Sequence, residues 1–240
     1  MAVWLEHFEK WVFPPVCMLS GEPSVKFDLG EAALLALQPV KRGCRCCGLP
    51  LPNTVKPNSC CGSCLQSLPF FDETVAGFEY DKVMRDLILR FKFNPEPHLS
   101  RLLFELFYSI RKEMLLSLGV EAIVPVPSHP NRLLERGFNP ALELAKPLAK
   151  VLRVPLLPFA VARVRETPPQ SSLPLAARKQ NLKGAFQVKP EVFQGLHTVL
   201  LVDDVMTTGH TLSALAEAIK AESGVQRVVN AVVARRTKGG

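Results

Sequence analysis

The chain has 240 residues, enough to bury a full core without disulfide staples. Its 48% hydrophobic and 21% charged residues exclude intrinsic disorder as the main state. Twenty-nine Lys and Arg against 22 Asp and Glu leave a net +7, which favours a phosphate-bearing partner without distinguishing nucleotide from nucleic acid. Acidic Glu6 and Glu9 sit where an export signal needs an apolar run, and no stretch approaches 18 apolar residues. The reading is a cytoplasmic protein with no membrane insertion.

In chain order, Trp4 to Phe13 has helical spacing and ends at Pro14 and Pro15. Ala32 to Leu37 predicts a further helical turn or two. Six of the seven cysteines then fall between Cys44 and Cys64, with Cys17 alone upstream. An odd, clustered set fits metal ligation in a reducing compartment better than a disulfide framework. Cys44 with Cys47 and Cys61 with Cys64 form two C-x-x-C knuckles, a pattern that suits tetrahedral Zn²⁺. Four sulfurs leave no open position, so the predicted role is structural, worth on the order of 10 kcal/mol of metal-coupled folding. Cys60 competes with Cys61 for the fourth position, and Cys46 is left over. Cys17, followed by Ser20, reads either as a buried small hydrophobe or as half of a lost knuckle.

No cysteine follows Cys64 and the composition changes near residue 70, which predicts an N-terminal helical and zinc-binding module over 1–72 and an α/β domain over 73–240. Tyr80 to Phe91 and Leu99 to Leu118 have helical spacing, with Lys92 a candidate phosphate contact flanked by phenylalanines that read as core. Ala122 to Pro127 is a short strand running into a loop. Asn139 and Pro140 supply an N-cap and a first-turn proline for a helix to about Leu152. Arg165 to Leu175, rich in proline and serine, reads as a loop able to close over a site. Strand Thr198 to Val205, helix Thr211 to Glu222 and strand Val225 to Ala234 complete a βαβ unit.

The most informative segment is the apolar strand ending in Asp203 and Asp204, followed by a hydroxyl-rich turn, Thr207, Thr208, Gly209, His210 and Thr211, and then a helix. Ligands bind at the carboxyl ends of strands in open α/β sheets. The turn offers backbone N–H groups and the helix its positive end to a phosphate. The two aspartates would repel that phosphate but accept hydrogen bonds from the hydroxyls of an attached sugar. Response-regulator receivers also begin with an acidic pair after a strand, but only 36 residues follow Asp204, too few for such a domain.

Asp203 to Thr211 resembles the 5-phosphoribosyl-1-pyrophosphate (PRPP) motif of type I phosphoribosyltransferases. The stretch VPVPSHPNRLLERGFN from Val124 to Asn139, with Arg165 to Gln170, Arg178, Asn181 and Gly184 to Phe186, resembles the ComF family of competence-related proteins. The cysteine knuckles followed by Leu89 to Lys92 are similar to that family's start. The resemblance implies a type I phosphoribosyltransferase-like parallel sheet flanked by helices, joined to a small zinc module and associated with DNA uptake. It implies that Asp203 and Asp204 hold the ribose hydroxyls and that Thr207 to Thr211 hold the 5-phosphate. PRPP would arrive with Mg²⁺. Departures are Ser20 in place of a cysteine and Pro140 where a polar Gln is more usual.

A catalytic domain of this kind would displace pyrophosphate at the anomeric carbon, with the protein supplying position and charge. Arg132 and Arg136, with Ser128 in the same predicted loop, are the candidate pyrophosphate clamp. His129 and His210 read as hydrogen-bonding rather than general-base residues. No feature of the chain identifies an acceptor. The competing function is a non-catalytic PRPP- or nucleotide-binding module that handles single-stranded DNA. A third is docking of competence proteins through the zinc module.

Overall fold

A computed structural model describes residues 16–24, 28–93, 97–165 and 184–237. The predicted helix at Trp4 to Phe13 and nearly all of the Arg165 to Leu175 loop lie outside them. Short helix α1 (Glu31–Ala36) precedes the cysteine knuckles, and α2 (Gly62–Gln66) carries Cys64 of the second knuckle with Cys61 at its N-cap. Strand β1 (Glu73–Glu79), helices α3 (Lys82–Phe93) and α4 (Pro97–Ser117) and strand β2 (Ala122–Pro125) follow. Next come α5 (Pro130–Arg136), α6 (Pro140–Leu152), β3 (Val161–Arg163) and β4 (Phe186–Val188). The chain closes with β5 (Thr198–Met206), α7 (His210–Ser223) and β6 (Arg227–Arg235).

Four strands form a parallel sheet in the order β1, β6, β5, β2, and β3 pairs with β4 in a separate antiparallel ribbon. Alternation along the strands divides the core. Leu200 and Val202 face α3, α4 and α6, whereas Val199 and Leu201 face α7, the ribbon and the cysteine segment. Both faces are covered, as the near-continuous apolar run of β5 requires of a parallel strand.

Strand β1 has no counterpart in the sequence reading, because its apolar run is short and contains Gly77. That glycine has a packing reason: a Cβ there would lie 2.6 Å from the Val233 carbonyl oxygen and 2.7 Å from the Phe107 ring. The predicted Ser128 to Arg136 loop is corrected to a helix. His129 caps α5 by accepting from the Asn131 amide through Nδ1, and Gly137 ends it in the left-handed region at φ 76°. Asn139 caps α6 as expected, accepting from the Ala141 amide at 3.2 Å.

The strand order fixes where a ligand can sit. From β2 the chain moves outward through α6 to Leu156, which bridges in parallel to Ile123. From β5 it moves the other way, through α7 to β6. The direction reverses between β2 and β5, and such a switch point opens a crevice at the carboxyl ends of the two strands.

Candidate functional site

A cavity of about 180 Å³ occupies that crevice. It brings together six predicted site residues: Ser128 from the β2 end, Arg132 and Arg136 from α5, Asp203 and Asp204 from β5, and Thr211 from α7. Arg132 and Arg136 share the cavity because four residues in a helix return to the same face. Thr207, Thr208 and Gly209 form the turn between β5 and α7, His210 opens α7, and all four adjoin the cavity without lining it. Gly209 takes φ 80°, a conformation that favours glycine, and its missing side chain leaves room for Met206 Cε, 2.5 Å from where a Cβ would be.

Sequence reasoning offered Lys92 as a phosphate contact but missed its pairing with Asp204, and it missed Arg163. Lys92 ends the loop side of α3 and pairs with Asp204, Nζ to Oδ2 at 2.9 Å, with Asp204 only 5% exposed. Its helical neighbours separate: Phe91 is buried, as the core reading expects, but Phe93 is 70% exposed, so that reading is corrected for Phe93 alone. Arg136 lies over the Phe93 ring, 5.8 Å from its centroid. Arg163 also lines the cavity, carried there by the β3–β4 ribbon that no periodicity revealed. Asn139 reaches beyond its cap: Nδ2 donates to the Val126 carbonyl at 3.0 Å, and Oδ1 accepts from Ser128 Oγ at 3.1 Å. It therefore ties the β2 loop to the start of α6.

The acidic pair is electrostatically uneven. Asp203 Oδ1 accepts from the Asp204 amide at 2.9 Å, yet burial, reinforced by the adjacent Asp204 charge, raises its carboxyl to about 7. Lys92 and Arg163 oppose that rise. Asp203 retains some accessible surface along the cavity, but the carboxyl group itself is crowded by protein atoms. A sugar hydroxyl or a cation would relieve the unfavourable proximity of two carboxylates.

The second cluster lies beside the sheet. The sulfurs of Cys44, Cys47, Cys61 and Cys64 all fall within 4.8 Å of one another, and all four residues are buried. The 3.7 Å separation of Cys47 and Cys61 Sγ matches the edge of a tetrahedron with arms of about 2.3 Å, roughly 3.8 Å, so the donor set fits Zn²⁺. Cys61, not Cys60, completes this set; Cys60 groups instead with Cys44 and Cys46. The Cys61 amide donates to Cys44 Sγ at 3.1 Å, and the Cys47 thiol hydrogen-bonded to that sulfur draws it down to about 4. Cys17 sits in the opposite core with Leu29, 2% exposed, as a small buried hydrophobe would.

The cysteine segment packs directly on the sheet. The Thr74 amide donates to the Arg45 carbonyl at 3.1 Å, and Gly48 presses against Ala76 so closely that a Cβ would lie 2.9 Å from it. Phe71 and Ala76 share one core cluster with Cys44, Cys47, Cys61 and Cys64.

An acid-bearing strand, a left-handed glycine turn and a helix at the switch point of a parallel sheet define a phosphoribosyltransferase-type domain. Residues 139–240 match the family model described as "Phosphoribosyl transferase domain". The chain is 37% identical to Competence protein F of Haemophilus influenzae over 70% of its length and 75% of that protein's. It is 35% identical to DNA utilization protein YhgH of Salmonella typhimurium over 85% of its length and 90% of that relative's. The chain therefore belongs to the ComF family. Adenine phosphoribosyltransferase of Saccharomyces cerevisiae aligns over 59% of this chain and 70% of that one, at 18% identity and a TM-score of 0.37. No helix of the described residues is long and apolar enough to cross a membrane.

Proposed function

We propose that the cavity binds PRPP with Mg²⁺ and that the protein serves DNA uptake or nucleotide metabolism in the cytoplasm; the names of its relatives, Competence protein F and DNA utilization protein YhgH, support the DNA role. The observation that carries this reading is the convergence of Asp203, Asp204, Arg132, Arg136, Ser128 and Thr211 on one cavity at the switch point. Asp203 and Asp204 accept from the ribose hydroxyls, which requires the Lys92 ammonium to give up or share Asp204. Thr207, Thr208, Gly209, His210 and Thr211 receive the 5-phosphate with amide and hydroxyl donors at the start of α7. Arg132 and Arg136 take the pyrophosphate, with Ser128 beside them. Mg²⁺ supplies charge neutralisation to the departing pyrophosphate.

Transfer on this site breaks the anomeric carbon–oxygen bond, releases pyrophosphate with the bonding electron pair and attaches an acceptor nucleophile to the sugar. Residues 1–72 act as the zinc module, with Cys44, Cys47, Cys61 and Cys64 holding a structural ion, and 73–240 as the transferase-like domain. Exposed Phe93 beneath Arg136 at the cavity side favours a second reading, a binding module for single-stranded DNA, since bases stack on exposed aromatics next to cations.

Calorimetry with PRPP and Mg²⁺ tests the site: wild type binds, and the double substitution Asp203→Ala, Asp204→Ala does not. Absence of wild-type binding rejects the proposal. Pyrophosphate release with candidate acceptor bases and amines then separates transferase from binding module.

A further inference from the structure

Arg235, the last residue of β6, is 5% exposed and lies between the two clusters. Its Nε donates to the Cys47 carbonyl at 2.7 Å. Its Nη1 donates to the Met206 carbonyl at 3.0 Å, to the Arg236 carbonyl at 2.6 Å and to the Thr207 carbonyl. Every one of these acceptors is a backbone carbonyl, and no carboxylate pairs with Arg235 among the ion pairs of the described residues. A buried guanidinium so arranged is costly unless it fixes geometry or faces negative charge nearby. Four thiolates around one Zn²⁺ would carry a net −2 beside it.

The carbonyl contacts have a directional consequence. In a planar trans peptide the C=O of one residue and the N–H of the next point in opposite directions. Holding the Met206 and Thr207 carbonyls toward Arg235 therefore turns the Thr207 and Thr208 amides away from it, and both threonines are exposed. A second contact runs in parallel: the Phe71 ring, seven residues after Cys64, lies 3.6 Å from the position of a Gly209 Cβ. The adjacent Phe70 amide donates to Ser213 Oγ in the first turn of α7 at 3.1 Å.

We infer that Arg235 is a positioning residue that couples the cysteine cluster to the Thr207–Thr208 turn, so that metal loading and binding of a phosphorylated sugar strengthen one another. The inference rests on the phosphate-binding reading of that turn for its second half only. Without the metal, the Cys44 to Cys47 knuckle loses the anchor that holds the Cys47 carbonyl, and Arg235 loses one of its fixed acceptors. The turn amides then sample other directions. By linkage, a ligand that selects the ordered turn must tighten the metal by the same factor that the metal tightens the ligand.

Two measurements on the full chain test this. The first needs no sugar ligand: amide NMR of zinc-loaded protein before and after chelation. Thr207, Thr208 and Gly209 resonances are expected to shift and broaden while those of β2 stay in place. Arg235→Lys, which keeps the charge but cannot bridge the Cys47 and Met206 carbonyls together, is expected to show the disturbed turn even with zinc bound. Unmoved turn resonances on chelation, or a response equal to that of β2, overturn the coupling. The second is calorimetry with PRPP and Mg²⁺, where chelation is expected to weaken affinity at least about fivefold, with less than about twofold change in Arg235→Lys. If zinc-loaded wild type binds no PRPP while the NMR response is present, the ligand assignment fails and the coupling stands. If PRPP binds equally with and without zinc, the coupling fails and the ligand assignment stands.

Discussion

Substituting Asp203→Asn replaces a carboxyl that burial and Asp204 raise to about 7 with a neutral group of nearly the same shape. The unfolded chain releases the Asp203 proton near the ordinary value of 3.8, so the folded protein holds that proton more tightly. The stability supplied by the protonated form is fully present below about 4 and is lost as pH rises through about 7. Between pH 5 and 8 the two values correspond to a ceiling of about 2.5 kcal/mol lost by the wild type. Water reaching the cavity side of Asp203 reduces this, and about 1–2 kcal/mol is expected. The Asn variant should therefore gain on the wild type by about that amount between pH 5 and 8. Urea unfolding of both proteins at several pH values, with zinc in excess, reads it directly. Protonation of the cysteine ligands at low pH affects both proteins alike and cancels in the difference. Parallel curves across that range would refute a raised Asp203 carboxyl.

The cysteine set makes a sharper prediction by exchange. Cys44→Ser and Cys61→Ser should each abolish binding of one zinc per chain, measured by elemental analysis, whereas Cys46→Ser and Cys60→Ser should retain it. Loss on Cys60→Ser with retention on Cys61→Ser would reverse the ligand register. Gly209→Ala must place a Cβ at φ 80° and displace the flexible end of Met206, at a cost of about 1–2 kcal/mol in urea unfolding. It should also weaken PRPP binding in calorimetry. Unchanged stability would show that the turn does not need a left-handed glycine.

What the sequence by itself determined was everything carried by local pattern. The βαβ unit from Thr198 to Ala234 was legible because the apolar run, the acid pair and the helical periodicity are contiguous, and the observed elements differ from it by only one or two residues at their ends. The two knuckles were legible because C-x-x-C spacing alone brings two sulfurs together, and Asn139 with Pro140 because a cap is a three-residue event. Only the tertiary structure decided between Cys60 and Cys61, since adjacent residues differ in direction rather than in spacing. Nor does a pattern within Lys82–Phe93 show that Lys92 crosses to Asp204, 112 residues away, while Phe93 turns outward. Arg235 is the fullest case. In the sequence it is one more cation near a basic end, and its position between the Cys47 and Met206 carbonyls exists only because β6 runs beside β5 under the cysteine segment. Side chains are assigned to elements by local forces, but which side chains meet is set by the order of strands in the sheet.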